Sequence, residues 1–289
     1  METRVAFVGL GAMGMPMAGH LAQAGLLSGV WNRSPAKAQQ AATRFNVTAP
    51  EKLVDIAPLA NVIVLCVSAD SDVLSVVEAL APVLQRGTVI VDHSTVSSVT
   101  ARTAQVIARK HASDFIDAPV SGGVEGAKNG KLSVMVGGAS ESLERVRSVL
   151  ECYAAKLTHM GDIGAGQNTK AVNQVLVAGI AQAVCEGLAL GEKLGLDPAA
   201  LLPTLGAGAA GNWFLEKRGA TMLRDEFSVG FKLALLHKDL SIVRGLAEQA
   251  GVSQRVIEQS IDDYAKLMAL GHGDDDISAL IRLKRSAAT

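Results

Sequence analysis

Apolar residues follow one another from Arg4 to Leu10 with little alternation. Such a run suits a central parallel strand covered on both faces. After it, Met13, Met17, Leu21 and Ala24 recur at helical spacing up to Gly25, a C-cap residue by its conformational freedom. The alternation continues along the chain. Gly29 to Asn32, Val62 to Val67, Thr88 to Asp92 and Phe115 to Ala118 are short strand-like runs separated by helical patterns, and Leu132 to Val136 and Lys156 to Met160 flank a helix over 140–150. Beyond Gly161 no strand pattern appears. A long apolar helix, a helix capped by Asp197-Pro198, and helices over 231–249 and 253–270 are expected instead. This order predicts an α/β chain: a doubly wound, mostly parallel sheet over residues 1–162, then an all-α domain over 163–289 that begins with a long interdomain helix.

Size and charge narrow the function. The 289 residues suffice for two domains with real cores. A formal net charge of -1 offers no attraction to nucleic acid or anionic membrane, and 3% aromatics offer no stacking platform for bases. Cys66, Cys152 and Cys185 lie in or beside apolar runs without metal-ligand spacing, so buried thiols in a reducing compartment and no metal centre are expected. With the first strand beginning by Arg4, no signal peptide is read, and a cytosolic protein is expected. The stretch from Ala171 to Gly191 is long enough for a membrane span. It contains Asn173, Gln174, Gln182 and Glu186, which lipid would penalise, so a helix buried in protein is expected.

The first strand runs into Gly9-Leu10-Gly11-Ala12-Met13-Gly14. Strand, glycine turn and helix in that order form a Rossmann-type dinucleotide fingerprint. Gly9 permits the tight turn, Gly11 the approach of a pyrophosphate, and Gly14 the close packing of helix on strand, while the helix N-terminus holds the phosphates. The second strand ends in Asn32-Arg33-Ser34, where an acid that binds the ribose hydroxyls of NAD is missing. Arg33 can pair with a 2′-phosphate and Ser34 can donate a hydroxyl, so NADP is favoured, with NAD as second choice. Arg33 can also stack on adenine, and Ser34-Pro35 is also a good helix start; both roles can coexist.

Ligands of open sheets lie beyond the carboxyl ends of the strands. Val67 ends one strand and Ser68-Ala69-Asp70 follows it, and His93-Ser94-Thr95-Val96-Ser97 follows the next, small and hydroxylated residues that leave room for nicotinamide. Ser71 and Ser97 are read as N-caps, and His93 as a packed or exposed histidine, not a metal ligand. Ser121-Gly122-Gly123 supplies a hydroxyl and bare N–H groups suited to a carboxylate. Lys170, Asn173 and Gln174 then share one face of the long helix, a polar set on an apolar element, and such a set calls for partners or a substrate. Phe231, Leu235 and Lys238 fall at i, i+4 and i+7. Lys238 either snorkels or faces a site, and Asp239 pairs with a basic group or with solvent.

With these stretches quoted, the chain closely resembles, end to end, the β-hydroxyacid dehydrogenase family, which includes 3-hydroxyisobutyrate dehydrogenases and tartronate and glyoxylate/succinic semialdehyde reductases. Gly9 to Met13 resembles the family's cofactor motif, Asp117 to Gly123 its substrate motif, Gly161 to Lys170 its catalytic motif, and Phe231-Lys232 with Lys238-Asp239-Leu240 its cofactor-contacting helix. The resemblance implies that Lys170 is the catalytic lysine, that Ser121, Gly122 and Gly123 hold a substrate carboxylate, and that Thr95, Phe231 and Lys238 lie at the cofactor. It further implies substrate contacts for Asn173 and Gln174, although many members carry Asn where Gln174 stands, and for Trp213, in a region that varies. The implied reaction interconverts a small hydroxy acid and its semialdehyde. A lysine with its ordinary pKa near ~10.4 donates a proton readily in the reducing direction. A homodimer or homotetramer is expected from the apolar second half. An imine reductase shares the architecture, but its relatives usually lack a lysine at position 170. A non-catalytic NADP-binding module would tolerate losing that lysine, and a 6-phosphogluconate-type enzyme needs a larger helical domain.

Overall fold

The computed structural model describes residues 2–286. It divides into two compact units between Lys170 and Ala171. The first contains β1 (Val5–Val8), α1 (Gly14–Gln23), β2 (Leu27–Trp31), α2 (Pro35–Phe45), β3 (Val62–Leu65), α3 (Asp70–Leu80), β4 (Val89–Asp92) and α4 (Ser98–Lys110). It continues through β5 (Asp114–Asp117), β6 (Val120–Ser121), α5 (Gly123–Lys128), β7 (Leu132–Gly137), α6 (Ser140–Glu151) and β8 (Ala154–Gly161). The strands form one sheet in the order β2-β1-β3-β4-β5-β7-β6, with β8 paired to β7.

From β2 to β5 every pairing is parallel, whereas β7 runs antiparallel to β5 and β6. The expected doubly wound, mostly parallel sheet is therefore present. Its non-alternating apolar strands have a physical reason. Val5, Phe7, Val62, Val64, Val89 and Val91 point into one core with α1, α2 and α6, while Ala6, Val8, Ile63, Leu65 and Ile90 point into another with α3 and α4. Both faces are covered, so both parities are apolar. The chain leaves β1 toward β2 and returns to the other side of β1 for β3. That reversal puts the loop after β1 at the switch point where such sheets bind ligands.

Helix α7 (Ala165–Lys193) begins at the end of the first unit and continues into the second. The second unit adds α8 (Pro198–Ala207), α9 (Trp213–Leu223), α10 (Leu233–Ala250), α11 (Arg255–Ala269) and α12 (Ile281–Arg285). One core, including Ala178, Ala181, Cys185, Phe214, Leu236, Leu240, Ile261 and Tyr264, holds these helices together. Asp197 caps α8 through a bond from the Ala199 amide, as expected.

Three expectations need correction. Helix α7 is not buried all round: Val172, Leu176, Ile180 and Leu190 are exposed. An apolar composition does not say how many sides of a helix have neighbours. Phe231 precedes α10, because Lys232 is the N-cap and the segment before it pairs with Asp276 instead. Phe231 thus shares no helical stripe with Leu235 and Lys238. Ser71 is not a cap, since α3 starts one residue earlier at Asp70, after Ala69. Ser97 does cap α4, accepting from the Thr100 amide at 3.1 Å.

Candidate functional site

At the glycine turn, Gly9 bends the backbone and Gly14 packs helix on strand as their spacing predicts, and Gly11 borders open space. Gly9 has φ 98°, and a Cβ there would lie 2.2 Å from the Cys66 carbonyl oxygen. At Gly14 a Cβ would lie 1.9 Å from the Gly9 carbonyl oxygen and 3.0 Å from Phe7, so helix and strand touch at that residue. Nothing lies within 4 Å of the Cβ direction at Gly11. No side chain caps α1, whose entry through Ala12 and Met13 carries no acidic residue. An open, uncapped helix start of this kind fits a pyrophosphate. The Asn32 side chain accepts from the Leu10 amide at 2.9 Å and so buttresses the turn. Arg33 is 84% exposed and pairs with Asp72 at 3.3 Å. Ser34 occupies the N-cap position of α2, but its hydroxyl makes no capping bond.

The loops after β3 and β4 are tied to each other. The Val67 amide donates to the Ser94 hydroxyl at 2.9 Å, and Ser68 follows on the exposed side. Thr95 is bracketed by Gln167, whose amide nitrogen donates to the Ser94 carbonyl at 2.7 Å and whose oxygen accepts from the Val96 amide at 3.2 Å. His93 is buried and engaged at both ring nitrogens, by the Ala118 carbonyl at 2.6 Å and the Tyr153 hydroxyl at 2.8 Å. Burial pulls its pKa down to about 4, so the ring is neutral at pH 7. It is a packed histidine that anchors the segment leading to Ser121.

Ser121 ends β6, and the next two residues take positive φ, 130° at Gly122 and 62° at Gly123. Only glycine adopts such values cheaply, and the backbone turns there into α5. Lys170 is 7% exposed, and its ammonium donates to the Val120 carbonyl at 2.8 Å, one residue before Ser121. The first unit therefore brings together the ends of β1, β3 and β4, the Ser121 loop and Lys170.

In the second unit the polar groups form a chain. Asn173 donates to the Gln174 side-chain oxygen at 2.8 Å, and Gln174 donates to Asp239 Oδ2 at 2.6 Å. Lys238 lies 2.9 Å from Asp239 Oδ1. Asp239 thus pairs with a basic group, as one of its two expected alternatives. Phe231 is held by its amide to Asp276, and Trp213 opens α9 half exposed, with the Arg218 guanidinium 5.5 Å over its ring.

A family model described as the NAD binding domain of 6-phosphogluconate dehydrogenase matches residues 4–161. Another, described as NAD-binding of NADP-dependent 3-hydroxyisobutyrate dehydrogenase, matches residues 164–284. The chain belongs to the β-hydroxyacid dehydrogenase family. An uncharacterized oxidoreductase of Shewanella frigidimarina is 36% identical over 98% of this chain and 99% of its own. The 3-hydroxyisobutyrate dehydrogenase of Mycobacterium tuberculosis, solved with L-serine, is similar with a TM-score of 0.89 and 32% identity, covering 99% of this chain and 100% of that one. Psf3, solved with NADP+ and 2-OPP, is similar with a TM-score of 0.88 and 25% identity over 96% of this chain and 99% of its own. The family is one of NAD(P)-dependent hydroxyacid dehydrogenases, and the relatives with printed activities are oxidoreductases.

Two residues lie inside the quoted motifs, and the sequence reading gave neither a role of its own. Gln167 steadies the Thr95 loop, and Asp117 accepts from the Gly164 amide at 2.7 Å and the Gln167 amide at 2.8 Å. One signal was available for Asp117: an acid that ends an apolar strand must find donors.

Proposed function

We propose that this β-hydroxyacid dehydrogenase interconverts a small β-hydroxy or short hydroxy acid with its semialdehyde, preferring NADP(H), with Lys170 as general acid and base. The observation that carries this reading is Lys170 itself, a nearly buried ammonium held on the carbonyl next to Ser121. Nicotinamide, when bound, supplies or accepts the hydride at the carbon bearing the oxygen. The glycine turn holds the pyrophosphate, and Val67, Ser68 and Thr95 line the space for the nicotinamide half. Arg33 reads the 2′-phosphate beside Asn32 and Ser34. The Ser121 hydroxyl and the Gly122 and Gly123 amides hold the substrate carboxylate and orient its carbonyl group. On reduction Lys170 gives a proton to the carbonyl oxygen and recovers one from solvent; on oxidation the neutral amine takes the hydroxyl proton.

We assign Asn173, Gln174 and Trp213 to the substrate and Phe231, Lys238 and Asp239 to the cofactor on the strength of the family motifs. The Asn173-Gln174-Asp239-Lys238 chain supports a role for these residues as one unit. A homodimer or homotetramer belongs to the same proposal, supported by Val172, Leu176, Ile180, Leu190 and Leu194 exposed on and just beyond α7. The reducing cytosol expected for it is supported by three free thiols.

The test is a panel of glyoxylate, succinic, tartronate and methylmalonate semialdehydes with 3-hydroxyisobutyrate and serine, assayed with both cofactors. It is paired with Lys170→Ala and Lys170→Arg. The alanine variant should keep its NADPH affinity and lose turnover by at least ~10²-fold, the scale of a lost general acid. The arginine variant should fail almost as badly, because a guanidinium stays protonated. A folded alanine variant with near-parental turnover on the best substrate would overturn the mechanism.

A further inference from the structure

Asp117 ends β5 with no exposure to solvent. A carboxylate buried to that degree needs donors, and they come from far along the chain. The Gly164 amide, just before α7, donates to Oδ1 at 2.7 Å, and the Gln167 amide, third in the helix, donates to Oδ2 at 2.8 Å. Amides at a helix start have no partner within the helix, so Asp117 caps α7 from another element. Two glycines make the space: a Cβ at Gly137 would lie 2.4 Å from Oδ1, and one at Gly166 would lie 2.8 Å from Oδ2.

A second bond runs the opposite way between the same two segments. Lys170 donates from its side chain to the Val120 carbonyl at 2.8 Å. Residues 117 and 120 lie three apart on one segment, and residues 167 and 170 lie three apart on the other. The side chain of 117 holds the backbone of 167, and the side chain of 170 holds the backbone of 120. A single bond would let α7 turn about its axis, and each residue of slip turns a helix by ~100° and shifts it by ~1.5 Å. The crossed pair opposes both motions.

We propose that Asp117 is the positioning residue for Lys170, fixing the start of α7 so that the ammonium stands at a set distance from Ser121. The proposal rests on the reading of Lys170 as proton donor. Asp117 itself touches neither substrate nor cofactor in this scheme.

Asp117→Asn tests it with almost no change of shape, because the new amide nitrogen faces a backbone N–H instead of accepting from it. NADPH affinity and KM should stay within ~3-fold while kcat falls by at least ~10-fold, since a displacement of about 1 Å can cost ~10²-fold in rate. The same substitution in the Lys170→Ala background should cost nothing further, because its effect passes through Lys170. A second full loss in that background would overturn the proposal, as would parental kcat in the single variant. Near-parental turnover in Lys170→Ala alone would instead remove the proton-donor reading, a result visible without any Asp117 variant. If Asp117→Asn does not fold, Asp117→Ser keeps a hydroxyl in the space and takes its place. Failure of both to fold would assign Asp117 to stability and end the proposal.

Discussion

Asp92 and His93 adjoin each other at the end of β4, both buried, and burial moves their protonation in opposite senses. The Asp92 carboxyl is pushed from its ordinary 3.8 up to about 7, and its Oδ2 meets no hydrogen-bond donor among the described residues. Burial lowers the imidazole of His93 from 6.5 to about 4. Between about pH 4 and 7 the folded chain keeps a proton on Asp92 that the unfolded chain has lost, so this term is favourable below pH 4 and fades as pH rises. Between about pH 6.5 and 4 the unfolded chain protonates the histidine and the folded one does not, so that term is full above pH 6.5 and fades as pH falls. The two slopes oppose each other, with Asp117, also raised by burial, on the side of Asp92. Asp92→Asn should therefore give a Tm that climbs more steeply than the parent's from about pH 4 to 6.5, and thermal melts across that range check it; parallel profiles would show that Asp92 does not titrate this way. The proposed preference for NADP(H) rests on a single residue. The exposed Arg33–Asp72 pair is of the kind worth under ~1 kcal/mol, so Arg33 can leave it for a 2′-phosphate at small cost. Arg33→Ala should weaken NADPH binding much more than NADH binding, and equal losses in a titration of both would reject the assignment.

At the scale of elements, the strand–turn–helix unit makes a sharp distinction among its glycines. A methyl group at Gly14 collides with the Gly9 carbonyl, whereas one at Gly11 meets nothing within 4 Å. Gly14→Ala should lower Tm by at least ~5 °C, as expected when backbone and helix are forced apart by ~1–3 kcal/mol. Gly11→Ala should leave Tm within ~2 °C and still weaken NADPH at least ~10-fold, because the methyl would enter the space we propose for the pyrophosphate. Melting curves and cofactor titrations separate the two, and a Gly11→Ala variant with parental Tm that binds NADPH normally would move the pyrophosphate elsewhere. Ser121 allows a similar separation by ligand. Ser121→Ala should impair carboxylated substrates more than aldehydes lacking the carboxylate, by the ~1.5 to 3 kcal/mol of a bond to a charged group, and equal kcat/KM losses on both classes would remove it from the site.

For the whole molecule, α7 presents Val172, Leu176 and Ile180 to solvent at four-residue intervals, with Leu190 and Leu194 further along the same side. A soluble monomer rarely leaves so long an apolar stripe uncovered. Sedimentation should give a mass at least twice the 29.9 kDa of one chain, and Leu176→Glu should shift the distribution toward smaller species. A single-chain mass at all concentrations would end the expectation of a homo-oligomer.

The sequence by itself determined what depends on local periodicity and backbone chemistry. The apolar strands predicted a sheet covered on both faces, and the glycine spacing predicted which residue turns, which one packs and which stays open, because those roles follow from steric limits within a few residues. Lys170 was legible as a polar intruder on an apolar helix. What the tertiary structure decided was pairing across long separations. The donors of Asp117 lie 47 and 50 residues away, Gln167 reaches Ser94 across 73, and Gln174 reaches Asp239 across 65. Likewise, only the folded chain separates the covered side of α7 from the exposed one and sets Phe231 outside α10. Periodicity reports which face of an element is apolar; which neighbour meets that face, and which distant amide meets a buried carboxylate, is settled by closure of the chain on itself.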